Sequence, residues 1–219
     1  MSANVQAIVK LGDKAPNFEQ ESTDGKINFY GWAGDHWVIL FSHSGDFTPV
    51  CTTEIGVMAQ LKVEFEKRNV KVLGLSLDSV SDHKKWVQDI EDMHDCRVSF
   101  PILADVDRKV SNLYGLLHPE TSGGFTVRTV LVIDHEKEVR LIMNYPTSTG
   151  RNFEEILRAI DSLQLTDNYR VATPVNWEFG DDVIILPAIQ EKGELSELFP
   201  KGYKEVKPYL RITPQPNRR

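Results

Sequence analysis

Cysteine is scarce in this 219-residue chain. It has two, Cys51 and Cys96, and neither sits in a CxxC pair or a Cys/His cluster at zinc spacing. That excludes a disulfide-stapled scaffold and leaves no metal expected. Positive charge is also in deficit: 25 Lys and Arg stand against 32 Asp and Glu, for a net charge of −7. Phosphate affinity rests on clustered cations, so nucleic acid is not an expected partner, and the closing Arg218-Arg219 pair is too short to change that. No stretch approaches the roughly 18 apolar residues of a membrane span. No N-terminal apolar run has the flanks of a signal peptide, so the expectation is a soluble cytoplasmic protein. With 41% hydrophobic residues, the chain can bury one sizeable core plus an appendage, or two small domains.

What the chain does have is one stretch that joins an apolar strand to a helix through a polar loop, Phe41-Ser42-His43-Ser44-Gly45-Asp46-Phe47-Thr48-Pro49-Val50-Cys51-Thr52-Thr53-Glu54. Trp37 to Phe41 is a continuous apolar run, the pattern of a buried central strand. Ile55, Met58, Leu61 and Phe65 recur at three- and four-residue spacing, which predicts an amphipathic helix after Pro49 with Cys51 in its first turn. Unpaired N–H groups and the positive end of the helix dipole stabilise an anion there, and a thiolate is one. A cysteine so placed has its pKa drawn down from about 8.5, which populates the nucleophile at cellular pH. Thr48, three residues earlier, brings a hydroxyl within reach of the sulfur or its substrate. Most free cysteines are small buried hydrophobes, but the Thr, Pro and Glu neighbours here are polar.

Along the rest of the chain, Asp24-Gly25 marks a hairpin turn after a polar, loosely held opening through Lys10. Val70–Leu77 and Phe100–Leu103 read as strands. Between them Ser79 or Ser81 caps a helix through Trp86, Val87, Ile90 and Met93. Asp105–Leu113 reads as a shorter helix ended by Gly115. Arg128–Ile133 and Val139–Met143 read as an antiparallel hairpin, and Phe153, Ile156, Leu157 and Ile160 as a last core helix. From Thr166 six prolines break the pattern, leaving Asp182–Leu186 as one strand. Strands alternating with helices predict an α/β layered domain with helices on both sheet faces.

Thr48-Pro49-Val50-Cys51 with Asp46-Phe47 resembles the peroxidatic motif of peroxiredoxins, P-x-x-x-T/S-x-x-C, with Gly45 read as standing where proline is usual. The longer match from Phe41 to Glu54 resembles the one-cysteine, peroxiredoxin-6 type branch. So do Thr147-Ser148-Thr149-Gly150-Arg151-Asn152-Phe153, Leu163-Gln164-Leu165-Thr166 and Arg170-Val171-Ala172-Thr173-Pro174-Val175-Asn176-Trp177. The resemblance runs from about Leu11 to Pro216. It implies a thioredoxin-like peroxidase domain over residues 11–165, a mixed central sheet with helices on both faces. A small C-terminal region, 166–219, would follow and help form a homodimer and frame the site.

The implied activity is reduction of hydrogen peroxide and organic or lipid hydroperoxides, an antioxidant role. Cys51 would pass through a sulfenic acid, the reversible first rung of thiol oxidation. Thr48 would orient the peroxide, and Arg128 would hold the thiolate and the charge growing on the leaving oxygen. Arg151, His43 and Pro49 are further candidates for contact with substrate or reductant. Glu54 reads as a capping residue of the first helical turn. The resolving position of two-cysteine relatives reads Val171-Ala172-Thr173-Pro174 and no cysteine follows Cys96, which is taken as structural. An external thiol must then reduce the sulfenic acid. No bound cofactor is expected; the resemblance implies glutathione, presented by a glutathione transferase or another thiol donor, while the residues alone do not choose among glutathione, thioredoxin and ascorbate. Phospholipase activity is not expected: the serine of the relatives' Gly-Asp-Ser-Trp-Gly is absent from Gly34-Asp35-His36-Trp37-Val38, and Tyr30 stands where a histidine belongs. Ser42 and Ser44, expected to be exposed, keep that question testable. Two rivals share the cysteine. A Cys51-His43 hydrolase needs an oxyanion hole and an orienting Asn or Asp, with Asn17 and Asp46 the nominees. A redox relay or holdase reacts once and waits for its partner, whereas a peroxidase cycles.

Overall fold

The computed structural model describes residues 8–118 and 123–216. The chain folds as two compact units, one ending at Phe153 and the other beginning at Glu154. Of the opening residues through Lys10, expected to be loosely held, 1–7 lie outside the described residues and Val9 is buried in the core.

The first unit is built on seven strands. They are β1 (Glu19–Ser22), β2 (Gly25–Asn28), β3 (Trp37–Ser42), β4 (Val70–Ser76), β5 (Ile102–Ala104), β6 (Arg128–Ile133) and β7 (Val139–Tyr145), with spatial order β2-β1-β5-β4-β3-β6-β7. β3, β4 and β5 are parallel, and β6 returns antiparallel beside β3. Parallel neighbours need crossovers. Helices α2 (Pro49–Gln60) and α3 (Lys62–Lys67) join β3 to β4, and α4 (Val80–His94) joins β4 to β5. Every residue of β3 is buried, as its unbroken apolar run predicts, and each large side chain there contributes about 1.5–3 kcal/mol. Val38, Leu40, Leu73 and Leu75 pack on one face with Phe29 and Ala33 of α1 (Phe29–Ala33) and Val110 and Tyr114 of α5 (Lys109–Tyr114). Ile39 and Phe41 point to the other face, where Phe41 meets Phe100 edge-on with ring centroids 5.9 Å apart.

The local signals hold with small displacements. Thr23-Asp24 turns the β1–β2 hairpin, with Ser22 paired to Gly25. Ser79 is the cap of α4 and accepts from Asp82 N at 3.2 Å. α5 starts at Lys109 rather than Asp105, because Asp105 spends its carboxylate on the Val110 and Ser111 N–H groups from outside the helix. Gly115 ends α5 at φ 69°, the left-handed conformation that lacks a Cβ penalty only for glycine.

The second unit opens with α6 (Phe153–Asn168), whose first residue closes the preceding unit, and continues with β8 (Val171–Ala172), β9 (Val183–Ile185), α7 (Lys192–Leu198), β10 (Lys204–Lys207) and β11 (Leu210–Thr213). Its four strands run in the order β10-β11-β9-β8. Leu165, Val171, Trp177, Val183, Ile185, Ile189, Leu195 and Phe199 form its own core. Arg158 Nη1 ties α6 to the Trp177 carbonyl at 3.2 Å.

Candidate active site

The site forms at the carboxyl end of β3, where the chain leaves the sheet and enters α2, the usual crevice of open α/β sheets. Thr48 is the N-cap of α2, Pro49 its first residue and Cys51 lies within the first turn, as the sequence predicts. Proline suits that position because its missing N–H costs nothing there. β6 pairs with β3 through Phe41 and Val130, so Arg128, two residues earlier, reaches past the end of β3. Register in the sheet therefore delivers Arg128 to a cysteine 77 positions away in sequence.

Arg128 Nη1 donates to Cys51 Sγ at 3.0 Å and to Glu54 Oε2 at 2.8 Å. Its Nε and Nη2 both donate to the Thr147 carbonyl, at 3.0 and 2.8 Å. The guanidinium is thus fixed from two sides and nearly closed to water, at 2% exposure. Arg151 approaches Glu54 from elsewhere. Its Nη2 lies 2.6 Å from Oε2, while Nε and the backbone N donate to Oε1 at 3.0 and 2.8 Å. Arg151 Nη1 also caps the carbonyls of Ser42 and Thr129, and its guanidinium lies over the Phe41 ring at 5.1 Å.

Glu54 is therefore no surface cap. It is 3% exposed and bridges two arginines. Burial pushes its carboxyl up, but the hydrogen bonds and charge of Arg151 and the charge of Arg128 hold it below the usual range. Two guanidinium charges face one carboxylate, and a Cys51 thiolate completes neutrality. Burial likewise pushes the Cys51 thiol up, and hydrogen bonds from Thr48, Ser44 and Arg128, with the Arg128 charge, bring it below an ordinary thiol. The Thr48 hydroxyl has one proton and two acceptors in reach: the Gly45 carbonyl, at 2.8 Å, and the sulfur. Turning it from carbonyl to sulfur is a rotation about one bond.

His43 and Asp46 lie one layer deeper. His43 is fully buried, with Nε2 2.9 Å from Asp46 Oδ1. Asp46 Oδ2 is 2.6 Å from His83 Nδ1, and His83 Nε2 faces the Leu103 carbonyl at 3.1 Å. Burial keeps His43 neutral, its pKa lowered despite Asp46, and its Nδ1 has no hydrogen-bond partner. These three side chains bring donors within 4.8 Å of one another, the one group among the described residues at metal-ligand spacing, and their close approaches are hydrogen bonds to each other. His43 also packs on Trp86, whose Nε1 donates to Thr52 at 3.1 Å.

The structure gathers Cys51, Thr48, Pro49, Arg128 and Arg151 around one end of the sheet, with His43 behind them. Sequence reading missed the bridging of Glu54, the Thr147 carbonyl and the pairing of Asp46 with His83; only Glu54 carried a signal, an acid three residues after the cysteine on the same helix. Ser42 is buried rather than exposed, with Oγ donating to Val127 O at 2.6 Å. Ser44 is half-buried, with Oγ 3.5 Å from Cys51 Sγ. Cys51 and Cys96 are both free thiols.

Residues 11–142 match the model of the AhpC/TSA family, and residues 162–199 match that of the C-terminal domain of 1-Cys peroxiredoxin. A 1-Cys peroxiredoxin of Dictyostelium discoideum is 52% identical over 96% of this chain and 87% of its own. Human peroxiredoxin-6 is 51% identical over 94% of this chain and 97% of its own. Among solved structures, a yeast mitochondrial 1-Cys peroxiredoxin, described by its thiol resolution via glutathione and thioredoxin systems, superposes with TM-score 0.87 at 46% identity, covering 94% of this chain and all of that one. Peroxiredoxin 6 of Arenicola marina gives 0.88 at 44% identity, covering 96% of this chain and all of its own.

Proposed function

Because this chain belongs to the AhpC/TSA family, in its one-cysteine peroxiredoxin branch, and is a thiol-dependent peroxidase with a thioredoxin-like fold, we propose that its chemistry runs on Cys51 with Arg128 and Thr48 as partners. The observation that carries this assignment is the 3.0 Å contact from Arg128 Nη1 to Sγ in the first turn of α2. The thiolate attacks the outer oxygen of a hydroperoxide. An S–O bond forms, the O–O bond breaks, and the leaving oxygen carries the electron pair away and takes a proton to become water or an alcohol. Cys51 is left as a sulfenic acid. Arg128 and Thr48 offer donors beside the sulfur, where charge passes from sulfur to the departing oxygen, and their fixed placement avoids reorganisation at that moment.

Arg151 serves by holding Glu54, and through it Arg128, and the exposed Pro49 flanks the approach to Cys51. His43, expected to contact substrate or reductant, is instead fully buried behind the site on Asp46 and supports the loop from beneath. The absence of any cysteine after Cys96 supports reduction by an external small thiol. We take this to be glutathione, presented by a glutathione transferase or another thiol donor. Family matches at 11–142 and 162–199 support dividing the chain into a peroxidase domain, 11–165, and a C-terminal region, 166–219, that builds a homodimer and frames the site. The cytoplasm is the proposed compartment, against the mitochondrial assignment of a yeast relative that is 49% identical. No helix among the described residues is long and apolar enough to cross a membrane.

The test is hydrogen peroxide consumption under excess dithiothreitol by wild type and Cys51→Ser, with mass spectrometry of the protein when reductant is limiting. Turnover by wild type alone, with oxygen added on Cys51, supports the assignment. Turnover by the serine variant, or a Cys51–Cys96 disulfide during cycling, overturns it. Glutathione in place of dithiothreitol then tests the reductant, and sedimentation of the reduced protein tests the dimer.

A further inference from the structure

Counted back from Cys51, the proline that opens the peroxidatic pattern falls seven residues earlier, at Ser44 and not at Gly45 as first aligned. A proline would offer the sulfur a hydrocarbon ring and no hydroxyl. Ser44 Oγ instead lies 3.5 Å from Cys51 Sγ, its one side-chain partner among the described contacts. The loop on either side is pinned, which fixes where that hydroxyl can go. His43 N donates to the Leu75 carbonyl at 3.0 Å, and Thr126 Oγ1 donates to the His43 carbonyl at 2.5 Å. Beyond Ser44, the Gly45 carbonyl takes the Thr48 hydroxyl and Asp46 N donates to Asp78 at 3.0 Å. With the backbone tied to three other segments, Ser44 has little more than χ1 to settle.

The direction of the bond follows from charge. A thiolate has no proton to give, so the Ser44 hydroxyl must donate to it, and a hydrogen bond to an ion is stronger than one between neutral groups. We propose that Ser44 is a further catalytic residue of this peroxidase, a hydroxyl donor to the reacting sulfur beside Arg128, in the place where the motif has proline. The proposal rests on Cys51 as the reacting thiol. During attack the S–O bond forms as the O–O bond breaks, and the sulfur gives up the negative charge that the leaving oxygen carries off. The Ser44 proton is then released from the sulfur and can turn to the oxygen newly bound there.

This role leaves a mark that a structural role would not. A donor to the thiolate makes the anion more abundant, in keeping with the lowered pKa of Cys51, but also less nucleophilic. Removing it should slow the reaction where thiolate is scarce and speed it where ionisation is complete. The measurement is the second-order rate with hydrogen peroxide from pH 4.5 to 9 for wild type, Ser44→Ala, Ser44→Pro and Ser44→Thr, using about 1 kcal/mol for one such hydrogen bond. On the acid limb Ser44→Ala and Ser44→Pro should hold about fivefold less thiolate, each thiolate about twofold more reactive, and so react about 2.5-fold more slowly. On the alkaline plateau they should be about twofold faster, since nucleophilicity follows basicity with a slope of about 0.4–0.5. Ser44→Thr, which keeps the hydroxyl, should follow wild type. Should the alanine variant not fold, the proline variant carries the same test with the motif's own residue. Profiles of Ser44→Ala and Ser44→Pro that superpose on wild type overturn the proposal, as does a uniform loss at every pH. An inert wild type, or an active Cys51→Ser, overturns the assignment of Cys51 itself and this proposal with it, a result no Ser44 variant can produce.

Discussion

Replacing Glu54 by glutamine tests the charge bridge at its centre. The carboxylate takes Arg128 Nη1 at 2.8 Å and Arg151 Nη2 at 2.6 Å on one oxygen, and two further Arg151 donors on the other. Glutamine keeps the shape and one acceptor but presents an N–H where one guanidinium now donates. Two buried cations would then share no counter-ion other than the thiolate. Breaking a buried pair by removing one partner costs about 3–5 kcal/mol, and the retained acceptor puts Glu54→Gln near about 3 kcal/mol. In a chain of this size each kcal/mol lowers the melting temperature by about 2–4 °C, so the expected fall is roughly 6–12 °C, read by circular dichroism. The thiol moves the other way. With the carboxylate gone, the Arg128 charge beside Sγ is no longer offset, while two bonds to the Thr147 carbonyl keep the guanidinium in place. Ionisation of Cys51, followed by thiolate absorbance near 240 nm, should therefore shift to lower pH. Loss of stability with a more acidic thiol is the signature, because general damage would return the thiol toward its ordinary value. A melting temperature within about 2 °C of wild type, or a thiol that becomes less acidic, would refute the electrostatic argument.

Thr48→Val keeps the shape of the cap but removes the hydroxyl that reaches both Gly45 and the sulfur, and peroxide consumption should fall by about 10², as when one donor to a developing oxyanion is deleted; an undiminished rate counts against Thr48. Asp46 and Glu54 both have folded pKa values below their unfolded ones, so their contribution is complete above the ordinary carboxylate range and is lost as pH falls through the lower, folded values. Melting temperature should hold from pH 7 to about 5 and drop below about 4, less steeply in Glu54→Gln. The lowered Cys51 thiol adds a separate limb: stability rises as pH climbs from its folded pKa to the ordinary thiol value, and a pH scan of Cys51→Ser should lack that rise. Cys96→Ser should cycle with dithiothreitol at the wild-type rate, since burial and the nearby Glu91 and Asp95 push that thiol up and keep it protonated; a slowed variant would give Cys96 a part in resolution.

The periodic elements were legible because each depends on neighbours in sequence. The β3 run, Ser79 as a cap, Gly115 as a stop and the β6–β7 hairpin are all local patterns, and all are present, while the stripe from Ile55 to Phe65 is shared between α2 and α3, with the break at Leu61. Errors fell where a distant partner competes with the local one. Glu54 has the position of a cap but meets two arginines from 74 and 97 residues away. Ser42 opens a polar loop, yet its place at the end of a strand that is buried throughout buries it too. Asp105 precedes α5 and caps it from outside instead of joining it.

Sequence alone determined that Cys51 stands at a helix start, because proline, threonine and the apolar stripe that place it are all within fifteen residues. It could also exclude a second thiol downstream, since that is a matter of counting. Only the tertiary structure decided what makes Cys51 an anion. The antiparallel register of β3 and β6 carries Arg128 to the sulfur, the chain after β7 brings Thr147 and Arg151, and the buried Glu54 locks both arginines. Charge acts through space over a few ångströms, and in a folded chain that distance has no relation to separation along the sequence.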